Sequence, residues 1–455
     1  MTERAKHCLK LSDPSSNSRE YIHKVLKYAR FQCRPLLKNR ISAFLFFVVL
    51  TVSAVTAIAP CHSEGAEYQI QPSVLLAEEY NDNIFLTPEN TSADYITRVA
   101  PSVNMVYGSP LWDWNVSAFY EYRYYARYHN NVPVNYIPNL GVTNHTRIKD
   151  QYVFLDIREN YSRTSLSPIR NFTQESAFVN QTDRNLLTVN PYVITKLTSQ
   201  VSATTGYNYS NTWYKDPAAI DQVTHTVYTG LQQDMTRLTF MTYGIRHTFN
   251  RNRREDYTQD DVYVGVHHEY IQNSTLAATV GNTWFFVRGL ERITQPTWDV
   301  SLIHRYSTMT VEYETGLRFI PDPFAARPRR EDRYMVTLRR DVPRTSITVS
   351  GGLFNYRDVI SKNLQSSVYR LTGSITHSIT SKLTFLFNLT SDYTKGYQAV
   401  YSTQQRYLTG TRLEYLLAGT TTLSLDYRYS YVYDPDNYAN NYTNNRISLE
   451  LKKIF

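Results

Sequence analysis

From Glu67 onward, apolar and polar positions alternate over segments of about ten residues, and no helical period of any length interrupts them. Period two puts successive side chains on opposite faces of a strand, so each segment reads as a strand with one greasy and one polar face. In the segment from Trp112, one face carries Trp112, Trp114, Val116, Ala118, Tyr120, Tyr122 and Tyr124. The other carries Asp113, Asn115, Ser117, Glu121, Arg123 and Arg127, interrupted by Phe119 and Tyr125. Val311, Tyr313, Leu317 and Phe319 oppose Glu312, Glu314 and Arg318. Leu423, Leu425, Tyr427, Tyr429, Tyr431 and Tyr433 oppose Ser424, Asp426, Arg428 and Ser430, and Ile447, Leu449 and Leu451 oppose Arg446, Ser448, Glu450 and Lys452.

Tyr and Trp crowd the ends of the apolar faces and aliphatics take the middle. A lipid-facing surface asks for that order, with amphipathic rings at the headgroups and aliphatics in hydrocarbon. Connections alternate in length. Short turns fall at Thr198-Ser199, Met235-Thr236, Asn273-Ser274, Thr308-Met309, Val342-Pro343, Thr380-Ser381 and Ala418-Gly419. Long polar loops are expected at 215–222, 250–259, 288–295, 321–332, 358–365, 393–405 and 434–444. The fold class implied is all-β: a transmembrane antiparallel up-and-down β-barrel of about 20 strands, within a range of 16–22. Residues 139–165 read as one strand or two. Closure follows from physics, because an open edge in lipid leaves backbone groups unpaired at several kcal/mol each.

The N-terminus is different. Residues 1–40 hold ten Lys/Arg against three acids, and residues 41–59, ISAFLFFVVLTVSAVTAIA, are apolar. A basic region followed by an apolar run describes an export signal, expected here to span 1–63 and to precede a single barrel at 64–455. Cleavage after Ala59 or after Ser63 both fit. The formal charge of +8 then shrinks to +1, since 38 basic and 37 acidic residues remain. The balance gives no reason to invoke nucleic acid. Cys8, Cys33 and Cys61 all lie in or before the cleavage region, so the barrel at 64–455 has no thiol, as suits an oxidising compartment. Mean hydropathy of −0.44 excludes a helical membrane bundle.

Residues 79–88, EYNDNIFLTP, are followed by SADYITRVAP at 92–101. Through Tyr80, Asn81, Asp82, Asn83, Asp94 and Pro101, this stretch resembles the N-terminal signature of the outer-membrane β-barrel porin type 2 family. The detailed match covers roughly 68–108. The resemblance implies a bacterial outer-membrane location and an association with exopolysaccharide export, with polysaccharide and a periplasmic export complex as partners. The residues themselves read as turn formers that cap their own backbone. They would open the first long loop, with Asp94 starting the returning strand. Phe455 resembles the terminal aromatic by which such barrels are read by the assembly machinery, although Lys453 stands where an apolar residue is usual.

No HExxH, GxSxG, phosphate-binding glycine loop or CxxC occurs, so no catalytic residue, metal ligand or cofactor is assigned. His267 and His268 are adjacent on a strand and so point to opposite faces, which suits no chelate. The basic runs 250–254 and 327–330 fall in expected outer loops, either as contacts for lipopolysaccharide or acidic glycan or as solvated charge. The polar face supplies the lumen candidates: Glu121, Arg123, Arg127, Arg305, Glu312, Glu314, Arg318, Arg339, Arg412, Glu414, Asp426 and Arg428. Phe119 and Tyr125 on that face are candidates to stack sugar rings. These charges line a hydrated pore or pair across strands. The functional expectation is a porin-like barrel passing polar solutes. Its alternatives are a non-conducting barrel that scaffolds a secretion complex or binds glycan, and an embedded hydrolase.

Overall fold

The protein is described by a computed structural model covering residues 66–149, 152–167, 170–397 and 402–455. The leader expected at 1–63 lies outside the described residues. Twenty strands follow one another: β1 (Glu67–Asn81), β2 (Asp94–Gly108), β3 (Trp112–Tyr125), β4 (Tyr136–Lys149), β5 (Val153–Ser165), β6 (Gln181–Lys196), β7 (Val201–Tyr214), β8 (Gln222–Asp234), β9 (Thr239–Asn252), β10 (Tyr257–Ile271), β11 (Ser274–Val287), β12 (Ile293–Arg305), β13 (Met309–Ile320), β14 (Arg329–Val342), β15 (Thr345–Asp358), β16 (Leu364–Ser378), β17 (Leu383–Gly396), β18 (Gln404–Ala418), β19 (Thr421–Tyr433) and β20 (Tyr442–Ile454). Each pairs antiparallel with its sequence neighbours, and β1 pairs with both β2 and β20. The sheet is therefore a closed barrel without edges. Residues 139–165 hold parts of two strands, β4 and β5.

Burial along the strands is inverted relative to a soluble protein. On β20 the apolar Ile447 and Leu449 are 48% and 53% exposed, while Arg446, Ser448 and Glu450 between them are 8%, 6% and 5% exposed. An apolar surface of this kind is stable only against lipid. The interior is polar and its charges are covered by one another. Together with the closed sheet, this makes the chain an outer-membrane barrel.

Strands run from 12 to 16 residues, more than the roughly 9–11 a tilted strand needs to span a bilayer. They therefore project beyond the membrane, and several loops are shorter than their polar composition predicts. The loop expected at 250–259 shrinks to 253–256, because Asn250 and Tyr257 are still in register. Connections on one side have two to four residues and those on the other four to fifteen. By the usual arrangement the short side is periplasmic. In these turns Asn273 (φ 61°) and Gly419 (φ 48°) take left-handed conformations that such residues tolerate.

Among the described residues there is no central hydrophobic core. Four small apolar clusters sit where loops meet the outer ends of strands, among them Ile84–Ile96–Tyr125 and Tyr257–Phe285–Val287–Val359. Three expectations change at this height. Tyr125 is 2% exposed, locked against Ile84 and Ile96, and offers no ring for a sugar. Leu317 is buried and Phe319 packs edge-on to Phe285 at 4.9 Å, so the apolar face of β13 turns toward the loops at this height and leaves Arg318 exposed between them. Arg127 lies past the end of β3 in an exposed turn, its guanidinium 6.0 Å from the Tyr95 ring centre.

Candidate functional site

In the longest connection, between β5 and β6, the residues from 170 to 180 fold into the barrel and reach the far wall. Asn171 caps a one-turn 3-10 helix, Phe172–Gln174, by accepting from Thr173 N. The turn places Glu175, fully buried, where Arg170 reaches it at 2.5 Å and Arg406 of β18 at 2.9 Å. Arg406 also holds Asp392 of β17, which pairs with Arg370 of β16 at 2.7 Å. Arg170 further donates to Tyr442 Oη, and Arg446 of β20 donates to the Gln174 carbonyl. A carboxylate buried in this way must be neutralised by partners, and two arginines supply that, Arg170 from the loop itself and Arg406 from the wall strand β18. The segment is thus pinned across the interior.

Beneath it lies a charged wall. Arg98 on β2 joins Glu450 at 2.5 Å, Glu79 at 3.4 Å and Glu121 at 3.7 Å, crossing the β1–β20 closure from inside. Arg123 meets Glu121 at 2.5 Å. Arg412 meets Glu450 at 2.9 Å, Glu414 at 3.5 Å and Asp426 at 3.7 Å, and Arg428 meets Asp426 at 2.9 Å. The wall thus gathers Glu121, Arg123, Arg412, Glu414, Asp426 and Arg428 from the sequence-derived set. Elsewhere, Glu314 faces Arg333 at 3.6 Å, and Glu312 sits beside it in register with Thr337. Arg339 pairs with Asp341 at 2.7 Å near the short-turn end, and Arg305 closes β12 there.

The sequence-derived lumen set lacks Glu79, Arg98 and Arg406, although alternation on their own strands puts them with the charged residues, and it lacks Arg446 and Glu450, which alternation had placed on the polar face of β20. It also missed Arg170 and Glu175, for which a loop offers no period to read. Two cavities flank the pinned segment, of about 530 Å³ and 180 Å³, and Asp426, Arg428 and Arg446 border both. Gly410 lies in register with Arg428 and leaves room beside its stem, the nearest atom to an added Cβ being Arg428 Cγ at 3.9 Å.

The opposite wall, β6 to β10, is mostly neutral. Tyr228 donates to Asn190 at 3.0 Å by lying flat across Gly206, where a Cβ would meet the Tyr228 hydroxyl at 2.5 Å. Tyr263 covers Gly244 in the same way. Asn190, Asn208, Thr226, Arg246 and Gln259 border a third cavity of about 430 Å³.

The Asn81-Asp82-Asn83 motif ties the first loop to the last strand. Asn83 Oδ1 accepts from Thr87 N at 3.0 Å, and its amide donates to the Thr87 and Thr443 carbonyls at 2.8 and 3.0 Å. Asp82 accepts from Asn445 N and Nδ2 at 2.7 and 2.6 Å, and Asn444 donates to Asn81 Oδ1 at 2.5 Å. Asp94 accepts from Arg127 N and Tyr128 N at 2.9 and 3.0 Å. The turn-forming reading accounts for the two bonds between Asn83 and Thr87; the partners on β20 and in the turn after β3 were not legible. Tyr80 stacks tilted on Tyr95 at 5.2 Å, Pro101 is exposed in β2, and Phe455 N donates to Pro72 O at 2.9 Å.

The basic runs are occupied. Arg253 donates to the Pro217 and Ala218 carbonyls, Arg254 to Phe324 O, Arg327 to Glu255, and Arg330 to Asp332. Loops 215–221, 253–256 and 321–328 are stitched together by them. In the 434–441 loop, burial alone would raise the Asp434 carboxyl. Bonds from Asn440, Gln404, Ser402 and the Asn437 backbone hold it below the ordinary carboxylate range. His267 stacks on Phe240 at 4.7 Å, while His268 bonds Thr239.

No family model matches the chain, and no curated protein does. Solved structures match over most of its length. The siderophore receptor PirA from Acinetobacter baumannii aligns at TM-score 0.51 and 9% identity, over 85% of this chain and 80% of that one. This is an outer-membrane barrel fold. The FrpB iron transporter from Neisseria meningitidis aligns at 0.48 and 9% identity, over 85% and 81% of the two chains. A BenF-like porin from Pseudomonas fluorescens Pf-5 aligns at 0.44 and 10%, over 85% and 99%. At such identities the likeness extends to the barrel alone.

Proposed function

We propose that the barrel is a porin-like channel that passes polar solutes across the outer membrane through a lumen narrowed by residues 170–180. The pinning of Glu175 between Arg170 and Arg406, with cavities bordering the segment, carries this reading. A constriction needs a rigid edge, a polar lining and space above and below. The loop supplies the first, the charged and tyrosine-paved walls the second. Association with exopolysaccharide export rests on the resemblance of residues 68–108 to the porin type 2 family. Polysaccharide and a periplasmic export complex are the partners it implies, alongside lipopolysaccharide around the belt and the assembly machinery at Phe455.

Purified barrel in planar bilayers should give discrete single-channel steps, and neutral oligosaccharide should reduce them. A barrel that never conducts in any salt or at any voltage ends this reading. The second reading, a non-conducting scaffold, draws on the stitched loops 215–221, 253–256 and 321–328. A conductance-free barrel that still supports surface polymer would favour it.

A further inference from the structure

We infer that Arg446 forms the centre of a binding subsite for the oxyanion group of a small anionic solute, a carboxylate or phosphate carried on a polar, sugar-like body. The inference rests on the channel reading above and names the solute class that the constriction selects. Arg446 is 8% exposed, and its guanidinium donates to the Gln174 carbonyl of the pinned loop. Its Nε has no hydrogen-bond partner, and among the described residues no carboxylate pairs with it. The neighbouring arginines differ. Arg98, Arg123 and Arg428 each have acidic partners on the wall.

A buried guanidinium that keeps an open donor edge is costly unless something fills that edge. Arg446 borders the smaller cavity of about 180 Å³ together with Arg98, Arg123, Arg163 and Arg428 and with the carboxylates Glu79 and Asp426, so arginines outnumber acids there and the field favours an anion. A planar guanidinium matches carboxylate or phosphate oxygens with two parallel bonds. The adjoining larger cavity is lined by Thr372, Ser374, Asn388, Thr390 and Ser430, hydroxyl and amide groups suited to the hydroxyls of the solute's body. Gly410 keeps that cavity open beside Arg428.

The test uses glucuronate, glucose 6-phosphate and glucose as probes. In single-channel recordings both charged sugars should occlude the current at concentrations about ten-fold lower than glucose, the equivalent of one charge-assisted hydrogen bond. Comparing the two identifies the oxyanion. Arg446→Gln should erase the difference, Arg446→Lys should keep part of it, and Arg237→Gln, in an exposed turn, should leave it intact. Heat-modifiable migration confirms that each variant is folded. Equal occlusion by all three sugars, or an unchanged preference in Arg446→Gln, overturns the subsite while the channel stands. If the barrel does not conduct, titration calorimetry of glucuronate and glucose 6-phosphate into detergent-held barrel decides. Heat lost in Arg446→Gln keeps the subsite although the channel reading falls, and no heat from either overturns the subsite too.

Discussion

The two inner walls of this barrel are built from the same alternation and do different work. From β16 round to β3, the inward side chains include arginines and carboxylates tied to one another, and residues 170–175 are clamped against them. From β6 to β10 they are mostly Tyr, Asn, Thr and Gln, with Arg246 among them and tyrosine rings laid over Gly206 and Gly244. The charged wall fixes an obstacle; the neutral wall keeps a smooth surface opposite it. A porin-like lumen needs both, because a constriction that can drift selects nothing.

The largest expected effect comes from removing what the charged wall holds. Replacing residues 170–177 by a short Gly-Ser linker should raise single-channel conductance roughly two- to five-fold, as constriction width controls flux. Unchanged conductance would put the restriction elsewhere. Next, Arg406→Gln removes one partner of a fully buried carboxylate, a loss of about 3–5 kcal/mol where no relaxation occurs. The segment should then be nicked by protease in the folded barrel and the current should flicker; a protected, quiet variant would show that Arg406 is not the clamp. On the neutral wall, Gly206→Ala forces the Tyr228 ring off its seat, costing about 1–3 kcal/mol. The melting temperature should fall while the anion preference stays; a shift in preference would mean the walls are coupled.

The smallest effect concerns pH. The Asp434 carboxyl is depressed in the folded barrel, so its contribution is complete above the unfolded carboxylate pKa near 3.9 and is lost as pH falls through the lower folded value. Protease protection of the 434–441 loop should therefore weaken only in strong acid, and Asp434→Asn should remove that acid step. A transition near neutrality would assign the loop's hold to another group.

Much of this was legible in the chain because lipid imposes a rule that cannot be evaded. Every lipid-facing position must be apolar and every second residue faces in, so β3, β19 and β20 could be read directly. Alternation stops being informative where loops cover the strand ends. Phe319 is apolar for the sake of the cluster of Phe285 and Val359, Leu317 is buried as well, and Arg318 between them was accordingly misplaced. Glu175 has no period to betray it, since its partners Arg170 and Arg406 come from a loop and a distant strand. Asn444 and Asn445 look like ordinary turn residues until closure brings them to Asp82 and Asn81.

Cysteine scanning along β20 tests the architecture most directly, since residues 64–455 contain no cysteine of their own. Single cysteines at Ile447, Leu449 and Leu451 should react with a lipid-partitioning reagent alone, and those at Ser448 and Glu450 with a small water-soluble reagent alone. Reaction of both sets with the water-soluble reagent, or an inverted pattern, would contradict a lipid-wrapped barrel whose charged wall faces a wet interior.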